Sequence, residues 1–132
     1  MSEQNESLVR AAYEAYGRGD IAGMMEIIDP DLEWTYLDPS LEDPEPQTCH
    51  GRQELRWALE GQAGRGLRSE VEELASHGDK VMVVVRTPGI DRERARQAGE
   101  RNFLVLTLRQ GKVAAMRACR DRAEALRVAG LG

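Results

Sequence analysis

The stretch LRSEVEELASHGDKVMVVVRTPG, residues 67–89, decides the class of this fold. Leu67 to Ser76 reads as a long polar strand. His77-Gly78-Asp79-Lys80 supplies turn-forming residues, and Val81 to Thr87 is the strongest strand in the chain because its β-branched side chains suit an extended backbone. Pro88-Gly89 breaks it. A polar strand feeding an apolar one through so short a turn is an antiparallel hairpin.

The pattern repeats downstream. Asn102 to Arg109 is the next strand, Gln110-Gly111-Lys112 a tight turn, and Val113 to Arg120 the last strand. The charged connection from Ile90 to Glu100 has room for one helical turn near Arg94. Asp121 and Glu124 have capping-box spacing over a short final helix that ends at Gly130.

Upstream, the apolar period changes from two to that of a helix. Val9, Ala12, Tyr13 and Tyr16 form one stripe on a helix from about Glu6 to Tyr16, ended by Gly17 and Gly19. Asp20 caps a second helix that carries Ile21, Met24, Met25 and Ile28 and stops at Asp29-Pro30. Leu32 to Leu37 alternates as a strand, with Leu32, Trp34 and Tyr36 on one face. Asp38 to Thr48 holds three prolines and three further acidic residues and reads as an exposed, mobile loop. A third helix, Arg52 to about Gln62, buries Leu55, Ala58 and Leu59. Segregated helices and antiparallel hairpins define an α+β domain occupying all of residues 1–132.

Composition narrows the function. With 41% hydrophobic and 31% charged residues the chain is globular in character. Its longest apolar run is far too short to cross a bilayer, and the polar, acidic start lacks a secretory signal, so the expectation is a cytoplasmic protein. Residues 1–50 carry twelve acidic and two basic side chains, residues 51–132 eleven and sixteen. The arginines of the basic half are interspersed with glutamates and have few aromatic neighbours, which fits solvated faces and not nucleic-acid binding. Cys49, His50, Cys119 and His77 lack metal-ligand spacing, so no metal and no cofactor is expected. There is no glycine-rich phosphate loop and no triad-like nucleophile motif.

Ala15-Tyr16-Gly17-Arg18-Gly19-Asp20, Asp29-Pro30-Asp31-Leu32-Glu33-Trp34, His50-Gly51-Arg52, Gly111-Lys112-Val113 and the tail Asp121 to Leu131, in this order of elements, resemble the SnoaL-like polyketide cyclase group of the nuclear transport factor 2-like superfamily. The resemblance implies a cone-shaped, strongly curved sheet wrapped by three helices from the N-terminal half and a short C-terminal helix. It also implies a mostly apolar pocket and a homodimer through the outer face of the sheet. The expected partner is a hydrophobic small molecule. The group spans cyclases, isomerases, hydrolases and members without assigned chemistry, so fold alone does not select a reaction.

Catalytic members of the superfamily use an acid or base whose pKa is shifted in a dry pocket. A tyrosine on the first helix polarises the substrate in isomerase-like members; Ala12 aligns there, with Tyr13 one position along. Their base lies on the first strand, where this chain has Tyr36 and then Asp38. The aspartate that other branches carry on the last strand corresponds to Ala118. Asp38 is either a base at the pocket mouth or the start of a turn beside Pro39. His50 is either a proton carrier or a solvent-exposed residue leading into a helix.

Trp34 and Tyr36 share the inward face if Trp34 points in, Tyr36 as ligand donor or as core filler. Arg86 either binds a ligand carboxylate or pairs with an acid across the sheet. Arg120 shares parity with Met116 and Ala118 and faces the pocket if they do. Arg117 and Cys119 would then face a dimer partner. Tyr13, Tyr16 and Trp57 read as core.

Overall fold

A computed structural model describes residues 2–132. The helices are α1 (Ser2–Gly17), α2 (Ile21–Met25), α3 (Arg52–Gly64) and α4 (Arg122–Val128). The strands are β1 (Ile28–Tyr36), β2 (Gln47–His50), β3 (Glu70–His77), β4 (Lys80–Arg86), β5 (Arg101–Arg109) and β6 (Lys112–Cys119). One turn of 3-10 helix, Ile90–Glu93, interrupts the β4–β5 connection. The architecture is the expected α+β one, with three helices from the N-terminal half and a short C-terminal helix on a single sheet.

The sheet is mixed and open, in the order β2-β1-β6-β5-β4-β3. β1 runs parallel to β6 and every other pair is antiparallel. The β5–β6 hairpin turns through Gln110 (φ 53°) and Gly111 (φ 77°). Two successive left-handed residues match the right-handed twist of the flanking strands.

Val81, Val83 and Val85 join Leu106, Leu108, Val113 and Met116 in a core that also holds Val9, Ala12, Tyr13 and Tyr16 of α1. The helical stripe and the strand alternation therefore meet on the concave face, as their periods require. Met82 and Val84 point the other way, into a second core with Val105, Cys119, Ala125 and Ala129. That core lies under α4, whose N-cap Asp121 accepts a hydrogen bond from the Glu124 backbone N–H at 2.8 Å. Glu124 returns a bond to the backbone N–H of Arg120, not of Asp121, so the capping box is only half formed.

Four sequence expectations change. The second helix is one turn long, and Ile28, Asp29 and Pro30 begin β1 instead of ending a helix. Residues 47–50 pair with β1 as an edge strand, Trp34 opposite Cys49, although their lack of alternation hid it. Cys119 is buried beneath α4 and not on the outer surface. Trp57, expected in the core, is 61% exposed on the outer side of α3.

Leu106→Ala should cost about 3 kcal/mol, because a buried leucine loses both transfer energy and packing and leaves a cavity. Trp57→Ala should stay within about 0.5 kcal/mol, as surface substitutions do. Urea unfolding of the two variants measures both. A Trp57 variant as damaging as the Leu106 one would contradict the exposed placement.

Candidate functional site

Between the helices and the concave face lies a cavity of about 260 Å³. This is slightly below the range of drug-sized ligand sites, ~300–1,000 Å³. Trp34 and Tyr36 of β1 and Met116 and Ala118 of β6 form its floor, because the parallel pairing sets Trp34 opposite Met116. Val85, Asn102 and Leu104 continue the floor. Tyr13, Tyr16, Leu55, Leu59 and Gln62 form the helical wall. At the rim stand Leu37, Asp38 and Pro39 on one side and Arg94 and Arg96 on the other.

Gly51 fixes the Trp34 side of this floor. It sits between β2 and α3, where an added Cβ would come within 2.8 Å of Cys49 Sγ and 3.1 Å of the Trp34 ring. The Trp34 and Tyr36 rings are tilted together, centroids 5.3 Å apart, and the Tyr36 hydroxyl donates to Gln47 Oε1 at 3.1 Å.

The two helical tyrosines differ in their hydroxyls. Tyr16 donates to Gln62 Oε1 at 2.9 Å. Tyr13, buried in the core, has no hydrogen-bond partner among the described residues, and no buried side-chain polar atom is left without one. Its hydroxyl is therefore not fully sealed, and Tyr13 is one of the residues that line the cavity. Burial above all, and the nearby Tyr16, raise its pKa. Tyr13 is a fixed neutral donor.

The rim is built by the connection after β4. Arg94 is almost wholly buried, its side chain 5% exposed, and pairs with Asp91 at 2.7 Å. Its remaining donors go to Asn102 Oδ1 at 2.8 Å and the Arg101 carbonyl at 2.7 Å. The other Asp91 oxygen accepts from the backbone N–H groups of Glu100 and Ala98 at 2.9 and 3.3 Å. A buried ion pair of this kind is tolerable only when its polar atoms find further partners, and here every side-chain nitrogen of Arg94 and both Asp91 oxygens have one. The residues from 91 to 100 thus form a cross-linked arch. The Ala95 backbone N–H donates to the Pro39 carbonyl at 2.8 Å, and Arg120 bonds Asp43 at 3.0 Å and the Pro44 carbonyl. The proline-rich segment, expected to be loose, is pinned to the arch and buries Pro44.

Residues 9–116 match the SnoaL-like domain family. The chain belongs to that family. Solved structures agree on the fold of this SnoaL-like domain. A nuclear transport factor 2-like protein from Burkholderia thailandensis is 25% identical with a TM-score of 0.66, covering 96% of this chain and 95% of its own. A protein from Xanthomonas campestris provisionally described as a polyketide cyclase is 18% identical, TM-score 0.59, covering 93% and 94%. A de novo designed protein with a curved β-sheet is 16% identical, TM-score 0.63, and the match covers all of both chains. No curated protein matches the sequence at a significant level.

Of the residues singled out from sequence, Trp34, Tyr36, Met116 and Ala118 line the SnoaL-like cavity, and Asp38 stands at its mouth. His50 does not line it: it lies exposed on edge strand β2, opposite Glu33. Arg86 turns to Glu100, 3.1 Å away, and leaves the cavity alone. Arg120 follows β6 after its last paired residue, so strand parity no longer governs it, and it reaches the proline-rich segment.

Asp38 accepts from the Ser40 backbone N–H at 2.9 Å and the Ser40 hydroxyl at 2.7 Å. Those bonds hold its pKa below the usual carboxylate value. This is the turn-starting alternative, and it makes Asp38 a weak base. Tyr13 aside, the polar residues missed from sequence are Gln62, Ser69 and Asn102 and the two charged ones, Arg94 and Arg96. The only signal for the charged pair was three arginines on alternate positions of a connection, Arg92, Arg94 and Arg96.

Asp91 carries a pH dependence. Burial raises its pKa, but its bonds to the Glu100 N–H, Arg94 and the Ala98 N–H outweigh that and leave it below the ordinary value. A carboxyl depressed in the native state stabilises the fold fully above its unfolded pKa, about 4. That stabilisation is lost as pH falls through the lower native value. Asp91→Ala should therefore cost about 3 kcal/mol at pH 7, and the gap to wild type should narrow below about pH 4. Thermal unfolding from pH 7 to 2.5 tests it; a gap independent of pH would refute the assignment.

Proposed function

We propose that this SnoaL-like domain binds a compact, hydrophobic small molecule carrying an oxygen function, held by the Tyr13 hydroxyl inside the cavity. The observation that carries this reading is that Tyr13 lines a mostly apolar space and its hydroxyl has no protein acceptor among the described residues. A ligand carbonyl would supply that acceptor. Trp34, Leu104 and Met116 supply apolar surface against the rest of such a ligand.

Binding without chemistry is the better supported form of the reading. An acid–base enzyme of isomerase, cyclase or hydrolase type needs a base whose pKa is raised toward neutrality. Asp38, the one carboxylate lining the cavity among the described residues, is shifted the other way.

The probe is 2-acetylnaphthalene, a neutral two-ring ketone. At about 100 times its dissociation constant it should add roughly 2.7 kcal/mol of stability and raise Tm by several degrees. It should also change the fluorescence of Trp34, read in a Trp57→Phe background. Tyr13→Phe should weaken binding about fivefold, the worth of one neutral hydrogen bond. No stabilisation and no change in Trp34 emission at millimolar ketone would refute the reading.

A further inference from the structure

We infer that the cavity is an acid-recognition site: its ligand is a hydrophobic carboxylate, or an equivalent oxyanion, whose charge meets the guanidinium of Arg96. The inference rests on the small-molecule reading of the same cavity and adds the charge of the ligand.

Three ionisable groups other than tyrosine line the cavity: Asp38, Arg94 and Arg96. Two are already satisfied. Arg94 is matched by Asp91, and Asp38 is turned onto Ser40. Arg96 is half-buried and makes a single hydrogen bond among the described residues, from Nη1 to the Arg120 carbonyl at 3.2 Å. Among the described residues no carboxylate lies within ion-pair distance of it, and the nearby acids have closer partners. Both Asp91 oxygens are held by Arg94 and by backbone N–H groups, and Glu124 takes the Arg120 N–H and guanidinium.

A guanidinium offers five N–H donors in a planar fork suited to a carboxylate. The one used by Arg96 goes to a carbonyl that also positions the group. Burial above all, then the Arg94 and Arg120 charges, lower its pKa against the opposing pull of Asp91 and Glu124, and an anion in the cavity would offset the cost of that burial. Since the hydrogen bonds that hold Arg94 also hold the arch, Arg96 is presented by a rigid element, which reduces what a ligand loses on binding.

The test compares 2-naphthoate with 2-acetylnaphthalene, which share a ring system and differ in charge. By calorimetry at pH 7 and low salt, wild type should bind the carboxylate at least tenfold more tightly. Arg96→Met, which keeps the apolar stem, should erase that preference and leave ketone affinity within about twofold. Should that variant fold poorly, the Arg96 Nε–H resonance of wild-type protein gives the answer by NMR. It should shift on adding naphthoate and stay nearly fixed on adding the ketone. Equal affinity for the two would overturn the acid-recognition site while leaving the small-molecule reading intact. Binding of neither would overturn both. A carboxylate preference that survives in folded Arg96→Met, or an Arg96 resonance unmoved by bound naphthoate, would overturn the assignment to Arg96.

Discussion

Strand β4 must be dry on both faces, and the rest of the molecule is arranged to make it so. Val81, Met82, Val83, Val84 and Val85 are each at most 4% exposed. In an antiparallel sheet, successive side chains point to opposite sides, so an uninterrupted apolar strand needs two covers. Helix α1 and its neighbours supply the inner one and α4 the outer one. The short tail after β6 is for this reason part of the core: without α4, Met82 and Val84 would face water. The same constraint explains why Cys119, read from parity alone as an interface residue, is sealed inside the protein.

The inner cover is incomplete. The ends of α1 and α3 reach the exit of β4, where Gly17 lies against Ser69 and Arg65 bonds Glu93 at 2.8 Å, yet the helices and the sheet leave a space between them. The arch of residues 91–100 and the pinned segment after β1 close part of that gap. The remaining space is the cavity. Its lining follows from the fillers: leucines, methionine and aromatics where strands and helices meet, and arginines where the arch does. Each arginine is resolved differently because carboxylates are scarce there. Asp91 neutralises Arg94, and Arg96 is left with a carbonyl.

Periodicity made the helical stripe of α1, both hairpins and the shared face of Trp34 and Tyr36 legible in the sequence, since each is imposed by burial repeated over several residues. It failed where one or two residues decide. Residues 47–50 form an edge strand with little burial, so no alternation marks them. Arg120 falls one step past the last paired residue of β6, and parity does not survive the end of a ladder. Strand parity gives Arg120 to the pocket if Ala118 faces it, and leaves Arg86 between a ligand carboxylate and an acid across the sheet, the second of which it takes in Glu100. Arg94 and Arg96 reach the pocket from an irregular connection, where side-chain direction depends on the hydrogen bonds of Asp91. Those bonds join residues up to nine positions apart and have no periodic trace.

The likeness to a designed curved sheet over the full chain separates the two parts of the problem. A designed sequence reaches the same architecture, so the fold by itself does not select a reaction. What distinguishes this chain is polar placement inside that space. Ala118 leaves the last strand without a carboxylate, and Ser40 turns the acid at the mouth into a poor base. The unmatched groups facing the cavity are then donors, the Tyr13 hydroxyl and the Arg96 guanidinium. Asp38 is the one carboxylate among the described residues that line the cavity, and two donors suit an oxygen-rich, electron-rich ligand group, which is the physical basis of the binding reading proposed above.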